Sequence, residues 1–179
     1  MSIDSKIVID YLDTESDLLK CAHSISQNRK KMCKTRDAFS IVQLHFPEHE
    51  LTTQEYDFKE RICDQLAKRG FETKENGEFL YECHYYDIKD GDEFIPEFGW
   101  HEDNYGGVGC RVHTFIIYLA KSKEISGGNF AFKNEEGETQ IVDVRGGLVV
   151  YMDGSVPHTI EPMCGKGTRN SIVIQLEKA

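Results

Sequence analysis

GLVVYMDGSVPHTIEPMCGKGTRNSIVIQLE, Gly147–Glu177, is where the chain declares its architecture. Gly147–Tyr151 is a short apolar run bounded by glycine and aspartate. His158–Pro162 and Arg169–Glu177 follow, each opened by turn residues and each rich in β-branched side chains. Runs of this length with such boundaries read as strands rather than helices. The glycines of Cys164–Gly167 suggest a turn, so His158–Pro162 and Arg169–Glu177 read as the arms of a hairpin.

Working back from this stretch, the same period of two holds from about Glu78. Phe79–Asp87, Val112–Ala120, Gly128–Lys133 and Thr139–Val144 complete a set of seven short strands separated by turn signals. The front of the chain differs. Lys6–Leu12 and Ala38–Phe46 read as strands. Asp13, Thr14 and Ser16 offer N-cap oxygens to a helix over about Glu15–Cys33, with Leu18, Leu19, Ala22 and Ile25 on one face. Thr52 or Thr53 would cap a second helix stopped at Gly70, with Phe58, Ile62, Leu66 and Ala67 on its apolar stripe. The expectation is one α+β domain over residues 1–179. Residues 1–78 would support a core at 79–177, an antiparallel β-barrel or jelly roll.

Composition narrows the function. The chain has 179 residues, enough for one sizeable core. Its formal net charge is −10, which disfavours a phosphate backbone as partner, so no nucleic acid is expected. Of the basic residues, Arg29–Lys34 alone cluster, and they read as the solvated face of a helix. No apolar run approaches the about 20 residues of a membrane span, and the first residues lack a signal-peptide layout. A soluble cytoplasmic protein is the expectation. The six cysteines, Cys21, Cys33, Cys63, Cys83, Cys110 and Cys164, include no C-x-x-C pair and read as free thiols, mostly buried.

Three places carry chemistry. In GWHEDN, His101 and Asp103 stand at i and i+2, so an extended backbone points both to one side and Glu102 to the other. His158 opens a later strand and could supply a third donor. Two histidines and a carboxylate on one face leave about three positions open on an octahedral Fe(II), as oxygen activation requires. Arg169 lies across the expected turn from His158. A guanidinium entering a barrel needs an anion, and a dicarboxylate would meet it with bidentate bonds.

Together, His101-x-Asp103, then His158, then Arg169 resemble the Fe(II)/2-oxoglutarate-dependent dioxygenases, the prolyl-hydroxylase-like branch in particular. The shared stretches are GWHEDN, FIIYLAKS, ISGGNFAF, VRGGLVVYMDGSVPHTIEP and GTRNSIVIQL, over about Phe79–Leu176. The resemblance implies a double-stranded β-helix of cupin-like, jelly-roll form. It implies that His101, Asp103 and His158 bind Fe(II), and that Arg169 pairs with the distal carboxylate of 2-oxoglutarate. Tyr118 would add a phenol to that carboxylate and Ser171 a hydroxyl. Tyr86 would line the pocket, although its neighbour Tyr85 competes for the inward position. Fe(II), 2-oxoglutarate and O2 would be the cofactors, with ascorbate as reductant in an assay. Since Asp103 is present, hydroxylation is expected rather than halogenation.

The resemblance points to a prolyl or other peptidyl side chain as substrate. A free amino acid or small metabolite is the second reading, suited by an acidic rim to a cationic molecule. A non-catalytic, metal-holding cupin-like module is the third. The stretch Asp87–Trp100 is longer than in compact relatives and forms one candidate wall for a substrate; Asn104–Cys110 forms the other, where the glycine-rich loop Gly106–Gly109 would gate the site. Trp100 could pack on a substrate or within the fold. The sequence leaves the oligomeric state open.

Overall fold

The computed structural model describes residues 6–31, 39–45, 51–75, 77, 79–96, 99–103 and 111–179. Its elements, in chain order, are β1 (Ile7–Tyr11), α1 (Asp17–Lys30), β2 (Phe39–His45), α2 (Thr53–Ala67), β3 (Phe79–Phe94), β4 (Val112–Lys121), β5 (Ile125–Gly127), β6 (Phe130–Lys133), β7 (Thr139–Val142), β8 (Leu148–Asp153), β9 (His158–Ile160) and β10 (Met163–Glu177). The larger sheet runs β1-β8-β4-β10-β3-β2, with β5 paired to β10, and the smaller runs β7-β6-β9. All pairings are antiparallel. The two sheets form the jelly roll that the sequence led us to expect, a double-stranded β-helix.

The central strands are apolar on both faces because both faces are covered. On β4, Phe115, Ile117 and Leu119 pack with Leu19, Ile25, Phe58, Ile62 and Leu66 of the two helices. The alternate residues Ile116 and Tyr118 pack with Phe130 and Phe132 of the smaller sheet. The period of two is thus intact, with a second apolar layer where a half-exposed sheet would carry polar residues.

The helix ends follow local chemistry. Thr52 and Glu55 form a reciprocal capping box at the start of α2. At its end, Phe71 N–H donates to Leu66 O and Gly70 N–H to Ala67 O, with Gly70 at φ +83°. This paired closure needs the left-handed residue that glycine supplies, and it stops the helix at Ala67, three residues before the glycine. The N-terminus of α1 departs from expectation. Ser16 sits at the cap without a side-chain bond, and Asp13 instead accepts from the Glu15 N–H. Residues 32–38 and 46–50, which include Cys33 and the outer ends of the expected helix and strand, lie outside the described residues.

Three expectations need correction. His158–Pro162 and Arg169–Glu177 are not a hairpin: β9 pairs with β6 in the smaller sheet, while β10 pairs with β3, β4 and β5 in the larger. Cys164–Gly167 is no turn but the start of β10, irregular between Gly165 and Gly167, so its glycines kink a long strand. Second, the strand expected over Phe79–Asp87 does not stop there but runs on into the acidic Asp87–Trp100 stretch. β3 reaches Phe94, whose partner is Met163. Third, Arg29 is not on a solvated face; it is buried and ion-paired with Glu55, joining α1 to α2. Of the described cysteines, Cys83 is buried, Cys21 and Cys63 are partly buried, and Cys164 is exposed; all four are free.

Candidate active site

The polar residues singled out above converge between the two sheets. Leu80, Glu82, His84 and Tyr86 of β3, Ile116 and Tyr118 of β4, and Arg169, Ser171, Val173 and Gln175 of β10 face one cavity of about 250 Å³. Each set is an alternate-residue series, which is how a strand presents one face. Register decides between the adjacent tyrosines. Tyr86 lines the cavity opposite Arg169, whereas Tyr85 points to the helices and donates to the Ser26 carbonyl.

His101, Asp103 and His158 close the other end. His101 and His158 exchange backbone hydrogen bonds, and Asp103 N–H donates to Gly154 O, so the segment 99–103 is fastened along the start of β9. Each imidazole is oriented by a carbonyl: His101 Nδ1 lies 2.8 Å from Gly99 O and His158 Nδ1 2.9 Å from Val156 O. A carbonyl can only accept, so Nδ1 carries the proton and the Nε2 lone pair is directed at the site. Thr114 donates to Asp103 Oδ2 at 2.6 Å and orients the carboxylate. One donor atom from each of the three residues lies within 4.8 Å of the other two. Burial lowers the pKa of His158, against the pull of Asp103, and keeps the ring in its neutral, ligating form.

Arg169 is fully buried at the opposite end. Its Nε donates to Gly128 O at 2.9 Å, and its guanidinium carbon lies 5.2 Å from the Tyr86 ring centre and 4.9 Å from that of Tyr118. Nη1 and Nη2 have no hydrogen-bond partner among the described residues. Gly128, at φ +66°, makes this seat possible: a Cβ there would come within 2.7 Å of the Met163 side chain and 3.4 Å of Arg169 Cδ. Burial pushes the Tyr86 phenol up to about 12 and raises Tyr118 as well, with Arg169 pulling the other way in both, so both hydroxyls stay available as donors. Ser171 is buried, opposite Tyr118 on one side and His84 on the other.

A buried guanidinium with two unanswered nitrogens calls for a planar anion. Two imidazoles and one carboxylate form the donor set of an open, six-coordinate iron site. The residues present therefore fit both a 2-oxo dicarboxylate and Fe(II), within one cavity.

Sequence reasoning missed Thr114, which holds Asp103, and, in this cavity, Glu82, His84 and Gln175. The last three were within reach, because they share the face of Tyr86 or Arg169 at even spacing. Trp100 is 47% exposed, with Lys133 Nζ 4.8 Å from its ring centre, so it is no part of the core. The expected wall at Asn104–Cys110, with its gating glycines, lies outside the described residues.

Comparison with known proteins agrees with this geometry. No curated protein matches the chain. Among solved structures, a Pseudomonas putida prolyl-4-hydroxylase superposes with a TM-score of 0.62 at 15% identity, covering 97% of this chain and 93% of that one. A Trichoplax adhaerens prolyl hydroxylase, solved with a hypoxia inducible factor peptide fragment, gives 0.64 at 15% identity and covers 97% and 84%. A 2OG-Fe(II) oxygenase family oxidoreductase from Burkholderia pseudomallei gives 0.68 at 12% identity and covers 97% and 85%. The model of the 2OG-Fe(II) oxygenase superfamily matches residues 81–176, more than half of the chain and the whole span from Tyr86 to Gln175. By that match the chain belongs to the 2OG-Fe(II) oxygenase superfamily, as an enzyme that works with Fe(II), 2-oxoglutarate and O2.

Proposed function

We propose that this oxygenase hydroxylates an unactivated C–H of a prolyl or other peptidyl side chain, with release of succinate and CO2. The observation that carries the reading is Arg169, fully buried, its two Nη atoms unpartnered among the described residues, in one cavity with His101, Asp103 and His158. In this reading His101, Asp103 and His158 hold Fe(II), which when bound supplies the redox chemistry with O2 and the 2-oxo acid.

The chain's own residues then do the placing. Arg169 receives the distal carboxylate through two parallel N–H···O bonds, which fixes the co-substrate lengthwise and rejects shorter monocarboxylates. Tyr118 donates its phenol to the same carboxylate, Ser171 adds a hydroxyl, and Tyr86 walls the guanidinium on its other side. Ile116, Val173 and Phe130 keep water from the space between. No side chain is required as general acid or base. Residues 79–177 act as the catalytic core, and the two helices support its outer face as part of the same unit.

Prolyl hydroxylases among the solved neighbours, one of them with a peptide, support a peptidyl substrate. Such a peptide would cross the cavity mouth near the exposed Trp100 and the outer part of β3. A free amino acid or small metabolite is the second reading, favoured by the modest cavity and by the polar pair Glu82–His84 within it.

The test is succinate formation from 2-oxoglutarate with Fe(II) and ascorbate in air, alongside calorimetry of 2-oxoglutarate with Mn(II) under argon. Turnover, or metal-dependent binding, that disappears in Asp103→Ala is the expected result. Wild-type protein that binds no 2-oxoglutarate in the presence of metal would overturn the reading.

A further inference from the structure

The reading above gives work to most polar side chains on the cavity wall. Arg169, Tyr118, Ser171 and Tyr86 serve one end, and His101, Asp103 and His158 the other. Glu82 and His84 meet each other, with His84 Nε2 2.7 Å from Glu82 Oε2. Gln175 is left. It lies on β10 three alternate positions beyond Arg169, on the same face. Its register partners are Leu80 on β3 and Thr114 on β4. Leu80 has no polar side-chain atom, and Thr114 gives its proton to Asp103 Oδ2. Gln175 is 9% exposed, and no hydrogen bond joins its carboxamide to another described residue. A co-substrate gripped at Arg169 ends at the metal donors. Gln175, level with the threonine that holds Asp103, stands past that end.

An enclosed carboxamide carries two N–H donors and a carbonyl acceptor, and both kinds of group are costly to leave unanswered. That requirement sorts ligands. An ammonium or guanidinium supplies donors alone, and a carboxylate acceptors alone, so either one strands half of the fork. A hydrocarbon answers neither half. An amide supplies an N–H and a C=O together. In an extended chain the N–H and C=O of one residue point to the same edge, as in a hydrogen-bonded pair of antiparallel strands. A side-chain carboxamide carries both on one carbon. The cavity residues Leu80, Ile116 and Val173 beside Gln175 are apolar, so such a pair forms with little competition from water.

Building on the co-substrate reading above, we propose that Gln175 is a specificity-determining residue that pairs with an amide of the substrate, its C=O accepting an amide N–H and its NH2 donating to an amide C=O. The amide belongs to a peptide main chain or to an asparagine or glutamine side chain. Among the substrates considered, this selects a peptidyl substrate over a free amino acid that offers only an ammonium and a carboxylate.

The test is equilibrium binding under argon, with Mn(II) and saturating 2-oxoglutarate, so that no turnover enters. The probes are the N-acetyl methylamides of the common amino acids, each paired with the two analogues in which one main-chain amide is an ester. The asparagine and glutamine probes are also paired with their side-chain methyl esters. In wild-type protein at least one pair is expected to differ about tenfold in favour of the amide, the order of one enclosed hydrogen bond. A difference in the main-chain pairs identifies a peptide group, and one in the side-chain pairs a carboxamide. Gln175→Met, similar in length but without the fork, should bring the ratio close to one, and Gln175→Asn should restore part of it. Because the ratio is taken within each variant, loss of folded protein cannot imitate the effect. Ratios near one for every wild-type pair, or a ratio unchanged in Gln175→Met, overturn the proposal. So does wild-type protein that binds 2-oxoglutarate and none of the probes, and in both cases the Arg169 reading stands. Wild-type protein that binds no 2-oxoglutarate overturns the Arg169 reading, and this inference with it.

Discussion

Arg169 concentrates the energetics of the site in one side chain. Its charge is removed from water, its Nε is answered by Gly128 O, and its forked end faces the cavity. Removing one partner of a buried charge pair costs about 3–5 kcal/mol, so Arg169→Ala should weaken 2-oxoglutarate binding by at least about a hundredfold. Arg169→Lys should recover only part of this, because an ammonium keeps the charge and loses the fork. Calorimetry with Mn(II) checks both; unchanged affinity in Arg169→Ala would place the distal carboxylate elsewhere. The residue was legible in the sequence because a guanidinium inside a barrel asks for an anion. Its route into the barrel was not. Turn-like glycines at Gly165 and Gly167 suggested a hairpin, but they serve a strand irregularity, and local chemistry cannot separate a turn from a kink.

Two of the ion pairs among the described residues join elements in ways that periodicity gives no sign of. Arg29 and Glu55 tie α1 to α2 in a buried pair, while Glu55 also serves its own helix cap. Glu55→Ala should therefore cost about 3 kcal/mol or more, as a lower urea midpoint, since it takes the carboxylate from a buried guanidinium and opens the cap together. Reading Arg29 as solvated was reasonable from the run Arg29–Lys34, yet helix phase turns this one member inward. At the end of β8, Asp153 accepts from Lys178 and from Ser155, fastening the strand to the residue just beyond β10. Burial works to raise the Asp153 pKa, but these donors together outweigh it and hold the carboxyl at about 2. A depressed folded-state pKa stabilises above the unfolded value and is lost as pH falls through the folded one. The contribution should thus be complete above about pH 4 and fade toward pH 2. Asp153→Asn should flatten that part of the acid-unfolding curve; an identical curve would mean that the pair is screened.

At the scale of the molecule, the jelly roll was legible because strands exposed on one face alternate, while those buried on both read as short apolar runs bounded by turn signals. What sequence could not give was which strand lies beside which. β9 and β10 are neighbours in the chain and belong to different sheets, and that separation leaves a cavity between His158 and Arg169. The two ends of the site thus come from different sheets: His158 from the smaller, Arg169 from the larger. A ligand that spans them links the sheets and should stabilise the whole fold. At about one hundred times its Kd, a ligand that binds only the folded state adds about 2.7 kcal/mol. For a chain of 179 residues this is a rise in Tm of about 5–10 °C. Mn(II) with 2-oxoglutarate should produce such a rise under argon. In Arg169→Ala the metal's share should persist and the co-substrate's share should vanish. In Asp103→Ala both should shrink, because the co-substrate then loses its anchor at the smaller sheet. A thermal scan of the three proteins distinguishes these patterns. A co-substrate shift that survives without Asp103 would mean that 2-oxoglutarate is held from the Arg169 end alone and does not bridge the sheets.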